Sequence, residues 1–328
     1  MLKDKTLKEV LEDSRIAEIS KDAISKRDLS KEECYNWTLQ EISDKMGWHN
    51  LDKGFEILFK QADKGQYYYS LYSEKECEGH PEKEGRNIVY LPSEDKKADE
   101  RPFILLVPGG GFVNVWSLTE GWPVAAQFNE LGYHVIILTY QICVDGSAVK
   151  AMSDIARAFE IIKAHRDKLR VNPDRYITCG FSAGGYAVCL WNTEKGYSFF
   201  GINKPEASFP IYPFVSYSLM QAEDWEDEEA EKEDVSMSST GVSLEEACNS
   251  VFNIIGYVEG FPPTALFATA EDELVDPDHS RKLAEALKAA GIKCRLEIGP
   301  TGGHGFADGS GMCMDGWTKR AIEWYENL

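Results

Sequence analysis

Residues 180–184 read Gly180-Phe-Ser182-Ala-Gly184, a serine between two glycines. An apolar, β-branched segment beginning at Tyr176 runs into it, and a small-residue stretch with Ala183, Ala187, Leu190 and Trp191 on one helical stripe runs out of it. Strand, tight turn and helix in that order lift a serine Oγ out of a sheet and point the first N–H groups of the helix at the reacting centre. The glycines keep side chains out of a turn in which strand and helix nearly collide. A hydroxyl needs a base within hydrogen-bond reach and a third group to orient that base, so Ser182 predicts a histidine and a carboxylate at other strand ends.

The chain has only six histidines, which narrows the search for the base. His49 and His80 precede the sheet core, His134 opens a strand at its wrong end, His165 ends a helix and His279 lies within one. His304 stands in Thr301-Gly-Gly-His-Gly-Phe306, a loop directly after the last strand, from which a side chain reaches across the sheet edge. Asp272 follows the strand over 264–269 in Ala270-Glu-Asp-Glu-Leu-Val275 and takes the orienting place. Glu271 and Glu273 read as solvent-facing loop residues, Asp276 as a helix cap with Pro277 behind it, and Asp308 is too near His304 in sequence. Val107-Pro-Gly-Gly-Gly-Phe112 follows the first buried strand, where bare N–H groups of a glycine turn can converge with that of Ala183 on a developing alkoxide. No Gly-Lys-Ser/Thr follows, so this is not a phosphate loop.

The elements that must carry these residues alternate. Apolar strands over 102–107, 134–140, 176–179, 207–212, 264–269 and 292–298 are separated by helical patterns over 123–131, around Met152, Ile155, Phe159 and Ile162, after Ser182, from Pro277 to Gly291, and at the end with Trp317, Ala321, Trp324 and Leu328 on one stripe. This rhythm implies right-handed crossovers and a largely parallel sheet, with ligands beyond the carboxyl ends of its strands. Segments 67–72 and 87–91 give the sheet an antiparallel start. Residues 1–62 read as a polar helical N-terminal extension, packed either on the main domain or on a partner subunit. Residues 63–328 read as the main domain. A segment of about 216–258 breaks the rhythm and reads as a lid-like insertion. Its acidic run, Glu223-Asp-Trp-Glu-Asp-Glu-Glu229, has consecutive charges and no histidine, the pattern of a solvated face and not of a metal site.

Composition sets outer bounds. A chain of 328 residues with 43% hydrophobic and 12% aromatic content buries a sizeable core. A formal charge of −20 argues against nucleic acid and anionic membrane surfaces as partners. The first residues, Met1-Leu-Lys-Asp-Lys-Thr-Leu-Lys-Glu9, are charged throughout, and no apolar run approaches the roughly 20 residues of a membrane span, so a cytoplasmic location is expected. Eight scattered cysteines without a C-x-x-C pair read as reduced core thiols; no metal and no cofactor is expected. The sequence leaves a single chain and a homo-oligomer equally open.

Several motifs taken together carry a resemblance. Pro108-Gly-Gly-Gly-Phe112, Glu120-Gly-Trp-Pro-Val-Ala125, Leu138-Thr-Tyr140, Gly180-Phe-Ser-Ala-Gly-Gly185, Asp272-x-x-Val275 and Gly303-His-Gly-Phe306 resemble the α/β-hydrolase esterases related to the hormone-sensitive-lipase group. The nearest likeness is to bacterial acetyl-esterase or xylan-esterase-like members, over roughly residues 65–328. It implies a three-layer α/β-hydrolase fold, a mostly parallel central sheet with helices on both faces. It also implies Ser182 as nucleophile, His304 as base, Asp272 as orienter, and the N–H groups of Gly110, Gly111 and Ala183 as the oxyanion hole. The order Ser, Asp, His along the chain agrees. One departure stands out: Pro108 occupies the place where many relatives carry a histidine, so that side chain cannot anchor the loop here. The expected reaction is hydrolysis of short-chain, chiefly acetyl, esters through an acyl-enzyme, with an acetylated oligosaccharide as the preferred substrate class. Phe112, Trp116, Trp122 and Tyr212, near strand ends, offer faces for sugar rings or else belong to the core. A peptidase or amidase of the same fold, and a non-catalytic binding protein on a hydrolase scaffold, remain as alternatives.

Overall fold

Every residue of the strand Phe103–Val107 is buried, yet its side chains divide by period two: Ile104 and Leu106 enter one apolar cluster, and Phe103, Leu105 and Val107 another. The same split in the neighbouring strands, where Val135 and Ile137 oppose Ile136 and Leu138, makes a sheet covered on both faces and hence three layers. The computed structural model describes residues 1–20, 32–220 and 228–328; the serine- and lysine-bearing stretch around 25–30 and most of the acidic run, 223–227, lie outside them.

Eight strands form the sheet: β1 Tyr68–Ser70, β2 Asn87–Leu91, β3 Phe103–Val107, β4 Val135–Thr139, β5 Tyr176–Phe181, β6 Ala207–Ile211, β7 Thr264–Thr269 and β8 Cys294–Gly299. Their order is β1-β2-β4-β3-β5-β6-β7-β8. β1 and β2 are antiparallel, β2 runs antiparallel to β4, and every later pairing is parallel. Register sets the carboxyl ends level: Val107 pairs with Gly180, Phe181 with Ile211 and Thr269 with Gly299. The loops after β3, β5, β7 and β8 therefore open on one edge. This is the α/β-hydrolase fold.

On one face lie the N-terminal helices, the helix Trp122–Glu130 and the C-terminal helix Trp317–Glu326. Of the two placements left open for residues 1–62, the described part of this segment shows packing on the sheet-bearing part of the same chain. Phe55 meets the Trp122 ring at 5.3 Å, the Tyr67 hydroxyl donates to the Arg15 carbonyl (2.6 Å), and the Asn50 amide donates to Ser310 Oγ (2.6 Å). A capping box starts the helix Leu39–Met46, with Thr38 Oγ1 accepting from the Glu41 N–H and Glu41 Oε2 from the Thr38 N–H. The other face carries the helices Ser147–Leu169, Ser182–Trp191 and Asp278–Ala289. The insertion, in its described part, is seated on this face. Tyr217, Ala247 and Ile254 are buried in the second cluster, Tyr217 Oη bonds Ser239 Oγ (2.6 Å), and Tyr186 Oη donates to the Phe252 carbonyl (2.9 Å). The helix Asp278–Ala289 begins one residue later than expected, with Pro277 as its N-cap, and Asp276 Oδ1 accepts the Asp278 N–H at 2.7 Å. The C-terminal stripe ends sooner than the spacing suggests: the helix stops at Glu326 and Leu328 is 39% exposed. Among the described residues no helix is long and apolar enough to cross a membrane.

His279 shows what this packing does to a titratable group. Its ring is buried, packs at a tilt against Phe214 at 4.9 Å, and accepts the Val215 N–H at Nδ1 (3.0 Å). Burial pushes it down to about 4 from an ordinary 6.5, opposed by Asp276, Asp272 and Asp278. The unfolded chain takes up that proton near pH 6.5 and the folded chain only near 4, so acid favours unfolding. The stability contribution is complete above pH 6.5 and is lost as the pH falls towards 4. Urea unfolding at pH 7.5 and pH 4.5 is expected to show the wild type losing about 2.5 kcal/mol relative to His279→Asn, whose Oδ1 can replace Nδ1 as the acceptor for Val215 but does not titrate. An equal pH dependence in both proteins would refute the assignment.

Candidate active site

β5 ends in Phe181, the N-cap of the helix Ser182–Trp191, and Ser182 itself takes a left-handed φ of +49°. A non-glycine residue there carries strain on the order of 1–2 kcal/mol, which the surrounding structure must impose. Gly184 explains how. A Cβ at that position would lie 2.2 Å from the Val107 carbonyl oxygen and 2.3 Å from that of Pro108, so only glycine lets the first helical turn press against the end of β3. The serine is thereby half-buried at the carboxyl edge, beside the loop that follows β3.

Two loops on the same edge complete a relay. His304 Nε2 lies 2.9 Å from Ser182 Oγ, and His304 Nδ1 lies 2.8 Å from Asp272 Oδ2. A carboxylate only accepts, so Nδ1 carries the proton and the Nε2 lone pair faces the serine hydroxyl. The Asp272 side chain is fully buried, and its second oxygen accepts the N–H groups of Leu274 (3.1 Å) and Val275 (2.8 Å). Its own loop thus fixes its orientation through bonds that do not involve the histidine. The His304 loop is held in turn by Thr269 Oγ1, which donates to the Gly303 carbonyl at 2.7 Å.

The glycine turn after β3 lies against the serine. Gly110 takes φ +124°, a conformation for glycine, and its carbonyl accepts from Val113 (3.1 Å) and Asn114 (3.0 Å). The N–H of Ala183 belongs to the first helical turn, which has no intrahelical acceptor. Among the described residues no protein group accepts from the N–H of Gly110, Gly111 or Ala183. The anchoring that a side chain at Pro108 cannot supply comes from two other places: Tyr140 Oη donates to the Pro108 carbonyl (2.9 Å), and the Gly109 N–H donates to Glu120 Oε2 (2.6 Å).

Glu120 has no role in the sequence reading, although its motif is part of the resemblance. It sits on a π-helical turn, Ser117–Gly121, and is buried; Tyr212 Oη donates to its other oxygen at 2.9 Å. Burial pushes this carboxyl above the usual range, opposed by the Gly109 and Tyr212 hydrogen bonds and by His304. A lone carboxylate in the otherwise uncharged run from Val115 to Ala126 was the available signal.

The four aromatics separate. Trp122 is 1% exposed and packs on Phe55, and Tyr212 is 1% exposed with its ring between His304 and Phe306, so neither can stack on a sugar: both are corrected to core residues. A side chain near a strand end in sequence is covered when the layer above it is complete, and here the N-terminal helices and the His304 loop complete it. Phe112 is buried edge-on against Tyr140 and Tyr186. Trp116 stays half-buried, its backbone N–H bonded to the Gly109 carbonyl (3.1 Å) and its ring edge-to-face with that of Trp48 at 5.6 Å.

The contact at Gly184 gives a stability prediction. Gly184→Ala is expected to lower the urea midpoint by an amount equivalent to about 3 kcal/mol with an unchanged denaturant slope, because Cβ must displace the end of β3. A midpoint equal to that of the wild type would show that the turn yields.

Acetylxylan esterase of Xylanibacter ruminicola is 25% identical over 213 residues, 63% of this chain and 41% of that protein. Endo-1,4-beta-xylanase B of Butyrivibrio fibrisolvens is 25% identical over 239 residues, 70% of this chain and 36% of that protein. The matches thus span less than half the length of either relative. Among solved structures, the acetyl ester-xyloside bifunctional hydrolase from Caldicellulosiruptor lactoaceticus superposes with a TM-score of 0.64 at 23% identity, covering 79% of this chain and 95% of that one. The carboxylesterase Cest-2923 from Lactobacillus plantarum WCFS1 gives 0.60 at 19% identity, covering 74% and 92%. These likenesses show the fold. The sequence model of the BD-FAE family matches residues 88–287, a span that takes in the turn at Ser182 and the Asp272 loop and stops short of His304. With well over half of the chain matched, the protein belongs to the BD-FAE family.

Proposed function

We propose that this protein is a serine carboxylesterase that removes short acyl groups, acetyl above all, from a carbohydrate. The observation that carries the reading is the relay of 2.9 Å and 2.8 Å from Ser182 through His304 to Asp272, beside three backbone donors that no protein acceptor takes among the described residues. Ser182 Oγ attacks the ester carbonyl carbon as His304 Nε2 removes its proton, and Asp272 stabilises the imidazolium that forms. The carbonyl oxygen becomes an oxyanion received by the N–H groups of Gly110, Gly111 and Ala183, donors worth on the order of 10²–10³ each in kcat. His304 returns the proton to the departing alkoxide oxygen, leaving an acyl-enzyme. Water then attacks the acyl carbon with His304 as base, the acid departs, and Ser182 recovers its proton.

Acetylated oligosaccharide as substrate is supported by the names of the relatives and by Trp116, the one of the four expected aromatics that is not buried. Ser182→Ala is expected to reduce p-nitrophenyl acetate turnover to the buffer rate with folding unchanged; wild-type turnover in that variant would remove the assignment. A parallel acyl-chain series and dipeptide-anilide panel on the wild type separates ester from amide hydrolysis. Trp116→Ala is expected to raise KM for acetylated xylo-oligosaccharides roughly tenfold, the loss of one stacking contact, and to change p-nitrophenyl acetate kinetics far less. Trp122→Ala acts differently, lowering stability by about 3–5 kcal/mol as a core truncation.

A further inference from the structure

We propose that Glu120 is a positioning residue that ties the oxyanion loop to the general base, and that its negative charge is part of the tie. The inference rests on the esterase reading above and names a group outside its triad. Glu120 Oε2 accepts the Gly109 N–H at 2.6 Å, the short distance of a charge-assisted bond, and Gly109 is the residue from which Gly110 and Gly111 continue. Its Oε1 accepts the Tyr212 hydroxyl at 2.9 Å. The Tyr212 ring lies edge-on to the His304 ring at 4.8 Å, and Tyr212 Oη accepts the Ala307 N–H (3.3 Å), three residues beyond the histidine. One carboxylate therefore touches the donor loop directly and the base through a single side chain.

The space around it permits little else. A Cβ at Gly109 would lie 2.9 Å from Glu120 Oε2 and 2.9 Å from Ser182 Cβ, so the loop is held between carboxylate and nucleophile. A buried carboxylate is costly unless donors satisfy it, and here the donors come from the oxyanion loop and from the tyrosine beside the base. Once His304 is protonated, its charge favours the anionic form of Glu120. When His304 takes the serine proton, Glu120 favours the imidazolium in addition to Asp272, while the fixed Gly109 N–H holds the next two N–H groups on the oxyanion. Gly109 and Tyr212 each give Glu120 a proton donor, an arrangement suited to the anion on both sides.

The test uses Glu120→Gln, Glu120→Ala and Tyr212→Phe in the full chain. With p-nitrophenyl acetate, kcat is expected to fall about tenfold in Glu120→Gln and about 10²-fold in Glu120→Ala, with KM within about threefold of wild type, the split that a misaimed oxyanion loop produces. A merely structural role predicts a lowered unfolding midpoint with kcat intact. With [15N]glycine labelling, the Gly109 amide proton is expected far downfield in the wild type and displaced upfield in Glu120→Gln. The ring resonances of His304 are expected to move in both Glu120→Gln and Tyr212→Phe. A folded Glu120→Gln enzyme with wild-type kcat, or an unmoved Gly109 amide, overturns the proposal. Should Glu120→Ala fail to fold, the glutamine variant carries the comparison. If the wild type hydrolyses no ester, the esterase reading falls, and the Gly109 and His304 resonances still decide whether the tie exists.

Discussion

The structure depends on one close approach, that of the first turn of the Ser182–Trp191 helix to the end of β3. Gly184 sits where any Cβ would meet the Val107 and Pro108 carbonyls, and Val107 pairs with Gly180 in the sheet. That contact brings the serine, the free N–H groups of a helix start and the glycine turn after β3 to one point. It also explains where the backbone is strained. Phe112, Ser182, Tyr212 and Ala307 all have positive φ, and each follows a strand end or belongs to a loop that converges on this point. Such conformations persist only where the surroundings over-determine them. Here the surroundings are a three-layer core built from alternating strand faces.

Around that point, three carboxylates are buried with both oxygens accepting hydrogen bonds. Asp272 is oriented by Leu274 and Val275, Glu120 by Gly109 and Tyr212. A third carboxylate, Asp154, accepts from Tyr72 Oη (2.6 Å) and from the Gln141 amide nitrogens of backbone (2.7 Å) and side chain (3.0 Å), fixing the residue after Tyr140. Tyr140 in turn holds the Pro108 carbonyl. Each carboxylate clamps the chain just beyond a strand, where hydrogen bonding of the sheet stops and a loop would otherwise be free to move. Preorganised donors are what such a site needs, since they need not reorganise as charge develops.

The N-terminal helices do part of this work from outside the matched family span, which begins at residue 88. Phe55 covers Trp122, Asn50 bonds Ser310 near the His304 loop, and Trp48 packs on Trp116. They convert one expected sugar platform into core and leave another at the edge. Whether an aromatic is a platform or a packing residue thus depends on a layer more than 60 residues away in sequence.

Period and punctuation made much of the molecule legible. The apolar runs gave eight strands, their alternation with helices gave a mostly parallel sheet, and loops following strands gave Ser182, Asp272 and His304 as one constellation, because the carboxyl ends of parallel strands share an edge. These features are local or follow from chain direction, so residue order carries them. Side-chain environment is not local. The burial of Trp122 and Tyr212 and the seating of the insertion on the body depend on segments distant in sequence, and the bridge from Glu120 to Gly109 and Tyr212 joins residues 11 and 92 positions away that only folding brings together. The sequence determined which groups stand at the edge of the sheet; the tertiary structure decided which of them are covered, which are paired, and which remain open to a substrate.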